Sequence, residues 1–298
     1  MLRFLNFFIL LFILCLFGGC MATTGGKKVE ESFSDPQVQA LVKAACLGET
    51  GKIESLIKAG VDVNTSGKDG VSPLFWVVGW CEEGNKLKGV KALLAQGADP
   101  NQAKKTGYTP LLVVSTYKDS RFLRAMLDYG GNPDARTKGI DSALSNALSL
   151  GAHRDLWENY YMLLDAGADI NINYNLPTNP GTIAGIAAGV YGRYDKALEL
   201  VKRGLDRKYY FSLLGTLTIG EISGSDASEV VPARNELKSY LLARLTDEEK
   251  RAYEESRARQ IEHQRKILDG TYEKERQQRY EDSVLKQYRE KQKKQQSP

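Results

Sequence analysis

Short segments of one chemistry recur along this chain: Gly60-Val-Asp-Val-Asn64, Gly97-Ala-Asp-Pro-Asn101, Gly130-Gly-Asn-Pro-Asp134, Gly167-Ala-Asp-Ile-Asn171 and a shortened Gly204-Leu-Asp206. Their glycines lie 37, 33, 37 and 37 residues apart. Self-similarity at such a period marks a solenoid, in which each unit touches only its neighbours and cannot bury its apolar face alone. Counting globular domains from the 298-residue length is therefore misleading. Glycine at the close of each unit permits a left-handed residue after a helix. The Asp and Asn that follow suit a turn.

A second feature gives the repeat its type. Gly97 to Asn101 leads through a polar stretch into Gly107-Tyr-Thr-Pro-Leu-Leu112, and Gly70-Val-Ser-Pro-Leu74 repeats that motif. A period of about 33 residues with a Thr-Pro-Leu signature resembles the ankyrin family. The resemblance implies an all-α solenoid of five to six helix-turn-helix units, placed here over residues 37–245. Proline suits the first helical position, and the hydroxyl of Ser72 or Thr109 suits the cap before it. Apolar positions recur at three and four, as in Val38, Leu41, Val42 and Ala45, which puts them on one helical face. The signature decays to Ser142-Ala-Leu144 in the fourth unit. The family's His after Thr-Pro-Leu is replaced by Phe75, Leu112, Ser145 and Ile186, so the array is divergent. Segments 209–219 and 232–245 are expected to form a sixth, capping pair of helices.

At the N-terminus, Arg3 precedes an apolar run from Phe4 to Phe17 broken by Asn6, too short for a membrane span and shaped like a secretory signal. Leu16-Phe-Gly-Gly-Cys20 resembles a bacterial lipobox, with Phe17 where Leu is more usual. The resemblance implies loss of residues 1–19 and lipidation of Cys20. With Met21 next, it also implies an outer-membrane anchor facing the periplasm of a Gram-negative bacterium. Residues 20–36 read as a flexible linker, ending where Asp35-Pro36 marks a helix start. Cys46 and Cys81 are then the remaining thiols, in a compartment where disulfides persist. The repeat frame puts them at the ends of successive first helices. Axes stacked about 10 Å apart exceed the reach of a bridge, so the expectation is two buried thiols, with a disulfide as the alternative.

The net charge of +4 and pI near 8.7 are mild and do not suggest nucleic acid. There are two histidines, His153 and His263, and neither has Cys or His at metal-ligand spacing. No phosphate-binding Gly-Lys-Ser/Thr loop, nucleophile elbow or His-Glu-x-x-His helix is present. No catalytic residues, metal, cofactor or small-molecule substrate are therefore expected.

Protein binding is what the ankyrin resemblance implies, through finger tips and late first-helix positions on the concave face. Those positions map to Lys68, Asp69 and Val71 with Trp80, to Lys105, Thr106 and Tyr108 with Tyr117, to Lys138, and to Tyr191. Trp80, Tyr108, Tyr117 and Tyr191 are expected to form an aromatic row flanked by lysines, with Trp157 near the opposite rim. Trp and Tyr are residue types that dominate interface energies. The alternative is that some of them pack between repeats and the lysines are ordinary solvated tips. The chain also looks like lipoproteins that act as immunity partners of secreted toxins such as lipase effectors. A structural envelope scaffold binding through its tail is the rival reading. That tail, residues 246–298, opens on a Thr246-Asp-Glu-Glu249 capping box and is rich in Lys, Arg, Glu and Gln. It is expected as a solvated, fraying helical arm, with a partner-binding coiled coil or partial disorder as the alternatives, about 75 Å long if unbroken, although Gly270 interrupts it.

Overall fold

The computed structural model describes residues 27–82, 85–137, 141–172, 181–224 and 226–295. The expected signal, Cys20 and Lys138 lie outside the described residues. The chain divides into two compact units, Met1–Asn132 and Pro133–Pro298. Among the described residues the regular structure is helical, with one isolated β-bridge between Arg136 and Ser142. No described helix is long and apolar enough to cross a membrane.

The first unit holds the helix pairs α1 (Pro36–Leu47) and α2 (Thr50–Lys58), α3 (Pro73–Trp80) and α4 (Lys86–Ala95), and α5 (Pro110–Val114) and α6 (Arg121–Asp128). Each first helix starts on the signal read from sequence. The Asp35 carboxylate accepts the Gln37 N–H at 2.8 Å, the Ser72 hydroxyl that of Phe75 at 3.1 Å, and the Thr109 hydroxyl that of Leu112 at 3.1 Å, each with proline at the first helical position. First helices stack on first helices and second on second, burying Leu41, Val42, Ile53, Val77, Leu93, Leu111 and Leu123 between them. The stack is close: a Cβ at Gly89 of α4 would overlap the Ala45 carbonyl of α1.

Between the pairs, the turns are joined across repeats by asparagine. Asn64 donates to the Gly97 carbonyl at 2.9 Å and accepts the Asp99 N–H at 2.9 Å; Asn101 donates to the Gly130 carbonyl at 2.9 Å and accepts the Asn132 N–H at 2.7 Å. Finger tips close through Gly67 N–H to the Val71 carbonyl (2.8 Å) and Lys104 N–H to the Tyr108 carbonyl (3.0 Å). They stack through Lys68 N–H to the Ser32 carbonyl and Lys105 N–H to the Asp69 carbonyl, both 2.8 Å. This recurring geometry is that of an ankyrin-type array.

Two expectations fail in this unit. The segment expected as a flexible linker is folded from Val29 onward: Val29 and Phe33 are buried, and Phe33 fills the space where Gly67 has no side chain. Two apolar residues four apart suffice to supply a tip for the first repeat, and a polar average over the stretch hid them. Cys46 and Cys81 are joined in a disulfide with a Cα separation of 5.6 Å. Axis spacing was the wrong measure. Residues on the facing sides of two helices approach by about 2.3 Å of helix radius each, which brings an axis distance of about 10 Å within bridging range. Cys81 has also left the helix for an extended conformation (φ −69°, ψ 139°).

The second unit contains α7 (Ala143–Arg154), α8 (Glu158–Asp165), α9 (Ile183–Gly189), α10 (Tyr194–Lys202), α11 (Tyr210–Ser223) and α12 (Val231–Leu242), then α13 (Asp247–Leu268) and α14 (Thr271–Gln295). Helices α9 and α7 begin on Thr182 and Ser142 hydroxyls. Turns are joined as in the first unit, with the Asp169 N–H on Asp134 and the Asp206 N–H on Asn171, both 2.7 Å. Helix α11 packs on α9 and α12 on α10, repeating the first-on-first and second-on-second stacking. A partly buried polar network ties α12 to its neighbours: Arg234 pairs with Asp226, which accepts the Tyr194 hydroxyl at 2.8 Å, and Lys238 pairs with Glu221 at 2.7 Å.

The tail is not a free arm. The capping box forms as read, with Glu249 accepting the Thr246 N–H at 2.7 Å and the Thr246 hydroxyl accepting that of Glu249 at 3.2 Å. Helix α13 then lies on α11, where Tyr253 is 2% exposed and its hydroxyl lies 3.0 Å from that of Thr218. Gly270, at φ +76°, ends the run, and α14 packs back on α13 through Lys266–Glu275 (2.8 Å) and an edge-on His263–Tyr272 contact (4.9 Å).

Candidate functional site

Finger tips and late first-helix residues define the surface to test, unit by unit. In the first unit Lys68, Asp69, Lys105 and Thr106 are exposed. They form a ridge, since the backbone bond between Lys105 and Asp69 fixes one tip on the next and their side chains lie 3.5 Å apart as an ion pair. Asp69 holds a left-handed conformation (φ +60°) there, which non-glycine residues seldom adopt. Val71, in contrast, is 2% exposed and belongs to the core, so it offers nothing to a partner. Its position in the tip hairpin points inward, as alternation along an extended segment requires.

Trp80 ends α3 beside the bridged Cys81 and is half-buried. Its ring meets Trp76 at 6.0 Å and Phe75 at 5.7 Å, and the Lys27 ammonium sits 4.2 Å from its centroid. Phe75 directly follows the Ser72-Pro-Leu74 motif. The Lys104 ammonium lies 5.0 Å from the Phe75 centroid and 5.6 Å from that of Tyr108. The structure thus brings Trp80 and Tyr108 into one strip, ordered Lys27, Trp80, Phe75, Lys104, Tyr108. Partial burial, then repulsion from Lys27, pull the Lys104 ammonium below the usual lysine range, with Asp69 opposing. Lys27, Phe75 and Lys104 were missed in the sequence because register, not chemistry, selected the candidates. The signal available was the aromatic residue that follows the Ser-Pro-Leu motif.

Tyr117 is absorbed by packing. Its hydroxyl donates to the Val78 carbonyl of the preceding repeat, its ring stacks edge-on with Phe122 at 5.1 Å, and the Lys86 ammonium lies 4.9 Å from its centroid. Lys86 is itself buried and donates to the Cys81 carbonyl at 3.3 Å.

In the second unit, Tyr191 is half-buried with its ring edge-on to His153 at 5.2 Å. Trp157 covers Gly151, where any side chain would strike the indole, and its N–H donates to Asp155 at 2.8 Å. Arg193 and Lys196 lie over that indole at 4.4 and 4.7 Å. Both cations are already engaged: Arg193 grips Asp195 through two bonds of 2.9 and 2.7 Å, and Lys196 pairs with Glu199 and Tyr161. The Arg193 guanidinium holds the Asp195 carboxyl below its usual range. Burial pushes the Tyr160 hydroxyl far up. Among the described residues no cluster of three His, Cys, Asp or Glu has the geometry to hold a metal ion.

No protein-family model matches the sequence, and no curated protein is similar to it. Among solved structures, the crystal structure of the human ASB11 ankyrin repeat domain aligns with 66% of this chain and 82% of its own, at 23% identity and a TM-score of 0.46. The fold assignment rests on the repeat geometry itself.

Proposed function

We propose that this chain is an exported, lipid-anchored protein that binds another protein through its finger tips and first-helix ends and carries out no catalysis. The observation that carries the binding reading is the exposed ridge of Lys68, Asp69, Lys105 and Thr106, locked tip to tip beside the half-buried Trp80 and Tyr108. Pre-organised tips lose little entropy on binding, and Trp and Tyr are the usual energetic anchors. The Cys46–Cys81 bridge supports an oxidising compartment, in keeping with the lipobox-like Cys20 and with an outer-membrane site facing the periplasm. Within that reading, the partner is a secreted toxin of the lipase effector type, which this chain neutralises as an immunity protein.

The test is site-specific photo-crosslinking from Thr106 in envelope preparations, with Lys58 on the second helix of the first repeat as control. One protein crosslinked from Thr106 and not from Lys58, and lost in Tyr108→Ala, is expected. Removal of residues 271–298 separates the rival scaffold reading, since it takes away α14 without disturbing the buried Tyr253. Capture that survives Tyr108→Ala but not this truncation would assign binding to the tail. Labelling by radioactive palmitate that persists in Cys20→Ala would overturn the lipid anchor.

A further inference from the structure

The strip in the first unit has a chemistry of its own. Two ammonium groups, Lys27 and Lys104, are held over aromatic faces: 4.2 Å from the Trp80 centroid, and 5.0 and 5.6 Å from those of Phe75 and Tyr108. Among the described residues no carboxylate lies within ion-pairing distance of either. Asp69, the acid whose charge opposes the depression at Lys104, is paired with Lys105. Aromatic faces attract a cation but do not neutralise it, and the two like charges are close enough to repel one another. The surrounding tips add Lys68 and Lys105. Positive charge is therefore concentrated over the half-buried rings of Trp80 and Tyr108, with Phe75 buried beneath them, an arrangement that strengthens attraction for an anion arriving there.

We propose that this strip receives an acidic, extended segment of the partner protein, whose carboxylates bridge Lys27 and Lys104 while its backbone and apolar groups lie on the half-buried Trp80 and Tyr108. The proposal rests on the protein-binding reading above and specifies the partner's chemistry. Two observations favour a peptide over a flat anionic surface. The Asp69 carboxylate on the bordering ridge would be forced against a planar anionic surface, whereas a strand can pass beside it. The exposed large hydrophobic residues of this unit, Leu47 and Tyr129, are not among the strip residues, so it lacks the apolar prongs that enter a membrane. The disulfide at Cys81 pins the residue next to Trp80 and so keeps the floor in place.

The test uses the full chain and a fluorescein-labelled oligoglutamate peptide, with a Ser-Gly peptide of equal length and phosphatidylglycerol vesicles as comparators. Oligoglutamate is expected to bind, with salt weakening it and with Trp80 emission changing in a Trp80→Phe-sensitive way. Lys27→Gln with Lys104→Gln should weaken binding about tenfold, a few-fold per cation, and the double Arg variant should restore it. Lys58→Gln with Lys91→Gln removes the same charge from exposed second-helix positions and should leave binding unchanged. Equal losses from the two lysine pairs would reduce the effect to net charge and overturn the proposal. No oligoglutamate binding, or displacement of the peptide by vesicles with the same lysine dependence, would overturn it as well. Either failure alongside intact Thr106 crosslinking sinks the acidic-segment proposal alone; loss of crosslinking sinks the binding reading beneath it.

Discussion

The Cys46–Cys81 bridge allows a quantitative forecast. It closes a sequence separation of 35 residues within the first unit and joins the ends of two first helices. Loop-closure entropy for a ring of that length amounts to about 4 kcal/mol at room temperature. The bridge links helices that are already packed, so its removal should act on the unfolded chain and leave the native contacts of α1 and α3 standing. With Cys15 and Cys20 replaced by Ser, urea unfolding followed by circular dichroism, with and without reductant, should show the reduced protein losing stability by about that amount. At roughly 2 kcal/mol per molar urea, the midpoint of the first unit moves down by about 2 M. The double variant Cys46→Ser with Cys81→Ser should coincide with the reduced protein. A loss below about 1 kcal/mol would contradict the loop-closure account, and two titratable thiols in the unreduced protein would refute the bridge itself.

Gly89→Ala forces a methyl into the Ala45 carbonyl and should lower first-unit stability by about 1–3 kcal/mol, read from the urea midpoint; no loss would mean that α1 and α4 are not in close contact. Tyr253→Ala empties a buried site between α13 and α11 and should cost about 3–5 kcal/mol in the second unit, whereas Tyr253→Phe, which removes the contact with Thr218, should cost about 1 kcal/mol. If α13 were a free arm, both variants would unfold like the wild type. Asp195 has its carboxyl depressed by Arg193, so its stabilising contribution is complete above the ordinary carboxylate pKa of about 4 and fades as pH falls through the lower folded value. Asp195→Asn should therefore flatten the acid limb of a stability-versus-pH curve below about pH 4 and leave the neutral region's slope alone; an unchanged acid limb counts against the Arg193 pairing.

The repeat fold was legible in the sequence because its rules are local. Asp35, Ser72, Thr109 and Thr246 cap helices where their side chains said they would, and each turn glycine at 60, 97, 130, 167 and 204 takes a positive φ. What failed depended on distances between elements. Cys46 and Cys81 approach because they face each other across two cylinders, a fact absent from axis spacing. Val29, Phe33 and Tyr253 are isolated apolar residues in polar surroundings, and averaging over a segment conceals a single buried side chain. The site divides likewise. Exposed tips such as Lys68 and Lys105 follow from register, but the partners of Trp80 do not, because Lys27 reaches it from before the first repeat and Lys104 reaches Phe75 from the next one.

The same non-local contacts connect stability to binding. Trp80 is the last residue of α3, and the next residue is covalently tied to α1, so the aromatic floor under Lys27 is positioned by the bridge as well as by packing. Lys86 strengthens that link, donating to the Cys81 carbonyl while its ammonium lies over Tyr117 and Phe122 at 4.9 and 5.5 Å. Tyr117, although it is not available to a partner through its hydroxyl, therefore holds the segment that presents Trp80: its hydroxyl grips the Val78 carbonyl two residues before the tryptophan. Anchoring a tryptophan from both sides of a chain turn reduces the freedom it loses when a partner covers it, which is where pre-organised anchors gain their affinity.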